Sequence, residues 1–138
     1  MHDIVLCVDD DPITLLLIKK VASKIAFAKE IITAKSGYDA MDYFEKLLPT
    51  TLTNQSMYPK IILLDLNMPI MGGWEFLDSF AKKELQVFFK NTRVFILSSS
   101  IDPKDIARAK TYPIVIDFIS KPITVDKIES LMQQLLLQ

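Results

Sequence analysis

A chain of 138 residues, half of them apolar and 24% charged, has the size of one domain with a sizeable core, and it lacks the polarity of a disordered chain. Its 16 basic and 17 acidic side chains leave a net charge of −1, which excludes the basic excess expected of a protein that binds nucleic acid directly. No basic amino-terminal segment leads into a long apolar stretch and no apolar run approaches the roughly 18 residues of a membrane span, so a cytoplasmic protein without membrane contact is expected.

Strand and helix patterns alternate along the chain. Ile4 to Val8 is a short apolar run rich in β-branched residues and reads as a strand. Asp11-Pro12 supplies an N-cap and a first-turn proline, after which Ile13, Leu16, Leu17, Val21 and Ile25 recur at helical spacing. Glu30 to Ala34 predicts a second strand, and Ser36-Gly37-Tyr38-Asp39 resembles a capping box opening a helix with Ala40, Met41, Phe44, Leu47 and Leu48 on one face. Pro49 is expected to stop that helix. Residues 50 to 59 form a long polar connection, expected at the end of the sheet opposite Asp65. Lys60 to Asp65 predicts the third strand, a turn follows around Pro69 to Gly73, and a helix is expected from about Trp74 to Phe89. Arg93 to Ser98 predicts the fourth strand, Asp102-Pro103 repeats the cap and proline of a helix start, and Val115 to Ile119 predicts the fifth strand. A last helix opens near Thr124 and carries Val125, Ile128, Leu131, Met132 and Leu135 inward. Cys7 is the only cysteine, so no internal disulfide can form, and its place in an apolar strand predicts a packed thiol. His2 stands alone near the terminus and has no predicted role.

Five strands alternating with five helices predict right-handed βαβ units, hence an α/β doubly wound fold around a five-stranded parallel sheet. The strands are continuously apolar, as expected when both faces of a sheet are covered. Ligands of such sheets bind beyond the carboxyl ends of the strands. Asp9, Asp10 and Asp11 follow the first strand, Asp65 ends the third, Ser98 ends the fourth and Lys121 follows the fifth, so parallel strands bring them to one edge. Two carboxylates about 4 Å apart repel by roughly 4 kcal/mol at an effective dielectric near 20, so the cluster calls for a cation. An all-oxygen ligand set suits Mg2+ or Mn2+ rather than zinc. Lys121 adds a charge that can meet a phosphoryl group, Ser98 can donate a hydrogen bond to it, and Asp65 is placed to act as a nucleophile forming an acyl phosphate. Asp11 reads as a helix cap.

Four segments in this order resemble the receiver domains of two-component response regulators: Val8 to Pro12, Leu64 to Gly73, Ile96 to Ser99 and Phe118 to Pro122. The resemblance spans nearly the whole chain and implies a flavodoxin-like fold with strand order 2-1-3-4-5. It implies that Asp65 accepts a phosphoryl group from a phosphohistidine on a sensor histidine kinase or a histidine phosphotransfer protein. It further implies that Asp10, Asp65 and the backbone carbonyl of Asn67 bind magnesium, with Asp9 acting through water. Ser98 and Lys121 would contact the phosphoryl group, Ser98 and Phe118 would form the switch pair, and the Lys121-Pro122 bond would be cis. A downstream protein target would read the switched surface. Relative to the family's commoner residues, Ser98 stands for threonine, Phe118 for tyrosine, and Lys110 to Pro113 for a stretch of small residues. With no output or DNA-binding domain after Gln138, residues 1–138 are expected to form a stand-alone, single receiver domain that is not an enzyme in its own right.

Two other readings compete. Asp9-Asp10-Asp11 contains the Asp-x-Asp of a haloacid-dehalogenase-like phosphatase, with Asp9 as nucleophile and Asp11 as acid. Pro12 opposes it by starting a helix where that family inserts a flap, and only Asp126 and Glu129 follow the lysine, inside a helix. A receiver acting purely as a binding module, without phosphorylation, is the second alternative, opposed by the complete set of Asp10, Asp65, Ser98 and Lys121.

Overall fold

The computed structural model describes residues 2–51, 58–99 and 101–137. Strands β1 (His2–Val8), β2 (Ala28–Ala34), β3 (Ile61–Asp65), β4 (Arg93–Ser98) and β5 (Val115–Ser120) form one parallel sheet in the order β2-β1-β3-β4-β5. Between and after them lie α1 (Pro12–Lys24), α2 (Gly37–Thr51), α3 (Gly73–Lys82), α4 (Leu85–Phe88), α5 (Pro103–Ala109) and α6 (Val125–Leu136). This is the expected doubly wound, flavodoxin-like α/β fold.

Strand side chains alternate between two cores because successive residues point to opposite faces. Leu6, Val8, Ile62, Leu64, Val94 and Ile96 face α2, α3, α4 and α5, while Val5, Cys7, Ile61, Leu63, Phe95 and Leu97 face α1 and α6. The first face carries an aromatic cluster centred on Phe44, whose ring lies 5.3 Å from Phe80 and 4.9 Å from Phe89, both edge-on. Such pairs add about 0.5–1.5 kcal/mol each beyond the area they bury. Cys7 is buried as expected, and burial, reinforced by the charge of Asp9, raises its thiol pKa to about 12.

Three local expectations need correction. The buried residues of α1 are Thr14, Leu15, Ile18 and Val21, whereas Ile13 and Leu16 are exposed. Apolar residues occupy nearly every position from Ile13 to Ile18, so their spacing could not select the inward face. Helix α2 runs through Pro49 to Thr51 rather than stopping there. Proline removes one bond to the preceding turn, but it lies within the last turn, beyond Leu47 and Leu48, which pack against the core. The helix expected from Trp74 to Phe89 is two helices, broken where Glu84 adopts a left-handed φ of 55°.

The other end signals hold. Asp11 and Asp102 cap α1 and α5, accepting from the N–H groups of Ile13 and Lys104, and Ser36 accepts from Asp39 N–H at the start of α2. Residues 52–57, most of the long connection, lie outside the described residues. Its described end leads into the amino end of β3, where Lys60 accepts from Arg93 N–H and Pro59 from the Thr92 hydroxyl, opposite Asp65. Among the described residues no helix is long and apolar enough to cross a membrane.

Candidate functional site

Strand register assembles the site. Val8 pairs with Leu64, so the residues that follow them, Asp9 and Asp65, stand side by side. Asp65 pairs with Leu97, which places Ser98 one residue beyond, and Ser98 pairs with Ser120, which leaves Lys121 next. The Lys121 N–H donates to the Ser98 carbonyl at 2.8 Å, tying these ends together, and the Lys121-Pro122 bond is cis as the resemblance implied. Gly73, the first residue of α3, lies against the backbone of Asp65: a Cβ there would stand 2.5 Å from the Asp65 carbonyl oxygen. Only glycine permits that approach.

Asp9, Asp10, Asp65, Asn67, Ser98 and Lys121 all line one open cavity of 370 Å³ at this edge. Phe118 lies outside it, half-buried on β5 and packed against the core beside Tyr112 and Val115. Asp102 and Asp105 also line the cavity and escaped the sequence reading. Asp102 carried a signal for its cap alone, because its sequence position does not reveal that the start of α5 overhangs the site.

The three carboxylates differ in surroundings. Asp9 is fully buried, with Oδ1 accepting from Asp11 N–H at 2.9 Å. Its Oδ2 lies 2.7 Å from Lys121 Nζ, yet among the described residues it has no aligned hydrogen-bond donor. Asp10 is exposed, and Asp65 is 7% exposed with one oxygen 3.5 Å from Lys121 Nζ. Burial first, then the charge of Asp9, raises the pKa of Asp65, against the opposing pull of Lys121 and the Asn67 N–H. Burial would lower the pKa of Lys121, but pairing with Asp9 and Asp65 outweighs it and the net shift is upward.

One oxygen from each of Asp9, Asp10 and Asp65 lies within 4.8 Å of the others. This hard, all-oxygen set, in which the buried Asp9 Oδ2 meets the Lys121 ammonium but no aligned hydrogen-bond donor among the described residues, fits a small divalent cation. One ammonium facing three carboxylates leaves negative charge for such an ion to balance. Asp11 is occupied elsewhere: its carboxylate caps α1 and meets the Thr14 hydroxyl.

Comparison with known proteins agrees with this architecture. The model of the response regulator receiver domain family matches residues 5–133. A two-component response regulator from Cytophaga hutchinsonii is 33% identical, with a TM-score of 0.84 over 99% of this chain and 98% of its own. One from Legionella pneumophila is 28% identical over the whole of both chains, with a TM-score of 0.76. A chemotaxis protein of Vibrio cholerae, 22% identical over 97% of this chain and 98% of its own, shares the fold with a TM-score of 0.75. No curated protein matches the sequence.

Proposed function

The chain belongs to the response regulator receiver domains of two-component systems, and from that premise we propose that it is a phosphoacceptor in a phosphorelay, with Asp65 taking the phosphoryl group from a phosphohistidine. The donor is a sensor histidine kinase or a histidine phosphotransfer protein. The observation that carries this reading is the position of Asp65: it is the last residue of β3, buried, and lines the open cavity with one oxygen 3.5 Å from Lys121 Nζ. Asp9 is buried too, but Asp11 and Lys121 engage its two oxygens, which disfavours it as a nucleophile.

An Asp65 carboxylate oxygen attacks phosphorus and forms the acyl phosphate bond, while the phosphorus–nitrogen bond breaks and its electron pair returns to the imidazole. Lys121 Nζ holds positive charge where phosphoryl oxygens arrive, and the Ser98 hydroxyl donates to one of them. Asp10, Asp65 and the Asn67 carbonyl, with Asp9 through water, would hold a magnesium or manganese ion, which would supply further positive charge against those oxygens. Drawing Ser98 toward Asp65 leaves room for Phe118 to turn inward, which changes the surface offered to a downstream protein. Phe118 has no hydroxyl, so packing drives that turn.

Intact-mass measurement after incubation with acetyl phosphate and magnesium tests the reading. One labile phosphoryl group is expected on the parent and none on Asp65→Asn, which keeps the side-chain shape without the nucleophile. Equal labelling of both proteins, or sustained release of phosphate from many esters without a labelled protein, contradicts it.

A further inference from the structure

Helix α5 is held against the molecule by little core. Among its seven residues only Ala109 is buried. What joins it to α3 is a cluster at the surface. The rings of Trp74 and Tyr112 stack with centroids 5.7 Å apart and an interplanar angle of 21°, and the guanidinium of Arg108 lies 4.6 Å from the Trp74 ring centre. Arg108 also pairs with Asp78 at 3.3 Å, and the Tyr112 hydroxyl donates to the same carboxylate. Trp74 and Asp78 belong to α3, Arg108 to the last turn of α5, and Tyr112 to the connection into β5.

One side of this cluster stands at the start of α3, next to Gly73 and hence to the Asp65 backbone. The other lies in the segment that links the strand of Ser98 to the strand of Phe118. Trp74, Tyr112 and Phe118 pack against the same core face. We propose that Trp74, Asp78, Arg108 and Tyr112 form a latch that holds α5 in its resting position and opposes the switch at Ser98 and Phe118. This rests on the phosphoacceptor reading above and adds a threshold to it: occupation of the Asp65 site must overcome the latch to reshape the surface around α5 and β5. Each contact shifts a two-state equilibrium a few-fold, and the group together by about tenfold.

Trp74 is the only tryptophan, so its fluorescence reports on the latch directly. The test titrates the phosphoryl mimic beryllofluoride, with magnesium, into the parent and into the double variant Arg108→Met/Tyr112→Phe, which puts one helix former in place of another in α5 and keeps both rings. Trp74 emission of the parent is expected to change on saturation as Arg108 and Tyr112 leave its ring. The variant is expected to bind beryllofluoride about fivefold more tightly, because less of the binding free energy is spent on releasing α5. Affinities within twofold of each other, or parent emission that stays constant while amide shifts around Asp65 report saturation, overturn the latch alone. A parent whose Asp65 loop shows no response to beryllofluoride overturns the phosphoacceptor reading and the latch with it.

Discussion

Lys121 is the charge on which the buried carboxylate of Asp9 depends. Its Nζ lies 2.7 Å from an oxygen that has no aligned donor among the described residues, and the Asp9 side chain is fully buried. Removing one partner of a buried pair leaves an uncompensated charge, which typically costs 3–5 kcal/mol. Lys121→Met is therefore expected to destabilise the metal-free protein by about 3 kcal/mol in urea unfolding, and Asp9→Asn/Lys121→Met by clearly less. A loss of under about 0.5 kcal/mol for Lys121→Met would contradict this pairing. Asp65 behaves in the opposite sense. Its folded pKa is raised above the ordinary 3.8, so the folded state binds its proton more tightly than the unfolded state does, and ionised Asp65 weakens the metal-free fold at neutral pH. Asp65→Asn should then be more stable than the parent at pH 7. The gap should narrow as pH falls through the raised pKa and reach its minimum below 3.8; a gap independent of pH from 7 to 3.5 would sink the explanation.

At the scale of elements, the connection from β3 to α3 carries backbone strain. Ile70 has φ of 73°, and Met71 N–H donates to the Pro69 carbonyl at 2.8 Å, which makes a tight three-residue turn around a β-branched residue. The turn directs the Met71 carbonyl to the Gly37 N–H at 2.7 Å, joining the Asp65 loop to the start of α2. Ile70 is 91% exposed, so its side chain contributes little burial. The left-handed backbone costs about 1–2 kcal/mol, and the added freedom of glycine in the unfolded chain takes back roughly 0.5–1. Ile70→Gly is thus expected to stabilise the protein by about 1 kcal/mol in urea unfolding, whereas a loss of stability would show that Ile70 makes contacts its exposure conceals. Such strain was invisible in Pro69-Ile70-Met71, because nothing about isoleucine signals a positive φ. The break at Glu84 was hidden for a similar reason. A continuous helix carrying Phe76, Leu77 and Phe80 inward would bring Glu84 inward next; the break shifts the phase, so that Leu85 and Phe89 are buried and Val87 and Phe88 remain outside.

For the whole molecule, the sheet and the members of the site were legible because they depend on strand ends, and strand ends are marked by where apolar runs stop. Parallel pairing then gathers Asp9, Asp65, Ser98 and Lys121 regardless of how the helices are phased. Helix faces depended on side-chain competition across the sheet: in α1 the apolar residues surround the helix, and only packing against Val5, Phe95 and α6 selects Leu15 and Ile18 over Leu16. Contacts between distant segments, such as Trp74 with Tyr112 or Asp102 overhanging the cavity, leave no trace in local spacing. The claim that joins these levels is that Asp65 carries the phosphoryl group. Borohydride reduction of the protein after incubation with a phosphorylated histidine phosphotransfer protein and magnesium, followed by peptide mass spectrometry, tests it most directly, because reduction converts an aspartyl phosphate to homoserine and marks its position. The account predicts homoserine at position 65 and nowhere else; homoserine at position 9 or 10, or none while the donor loses its phosphoryl group to this protein, would contradict it.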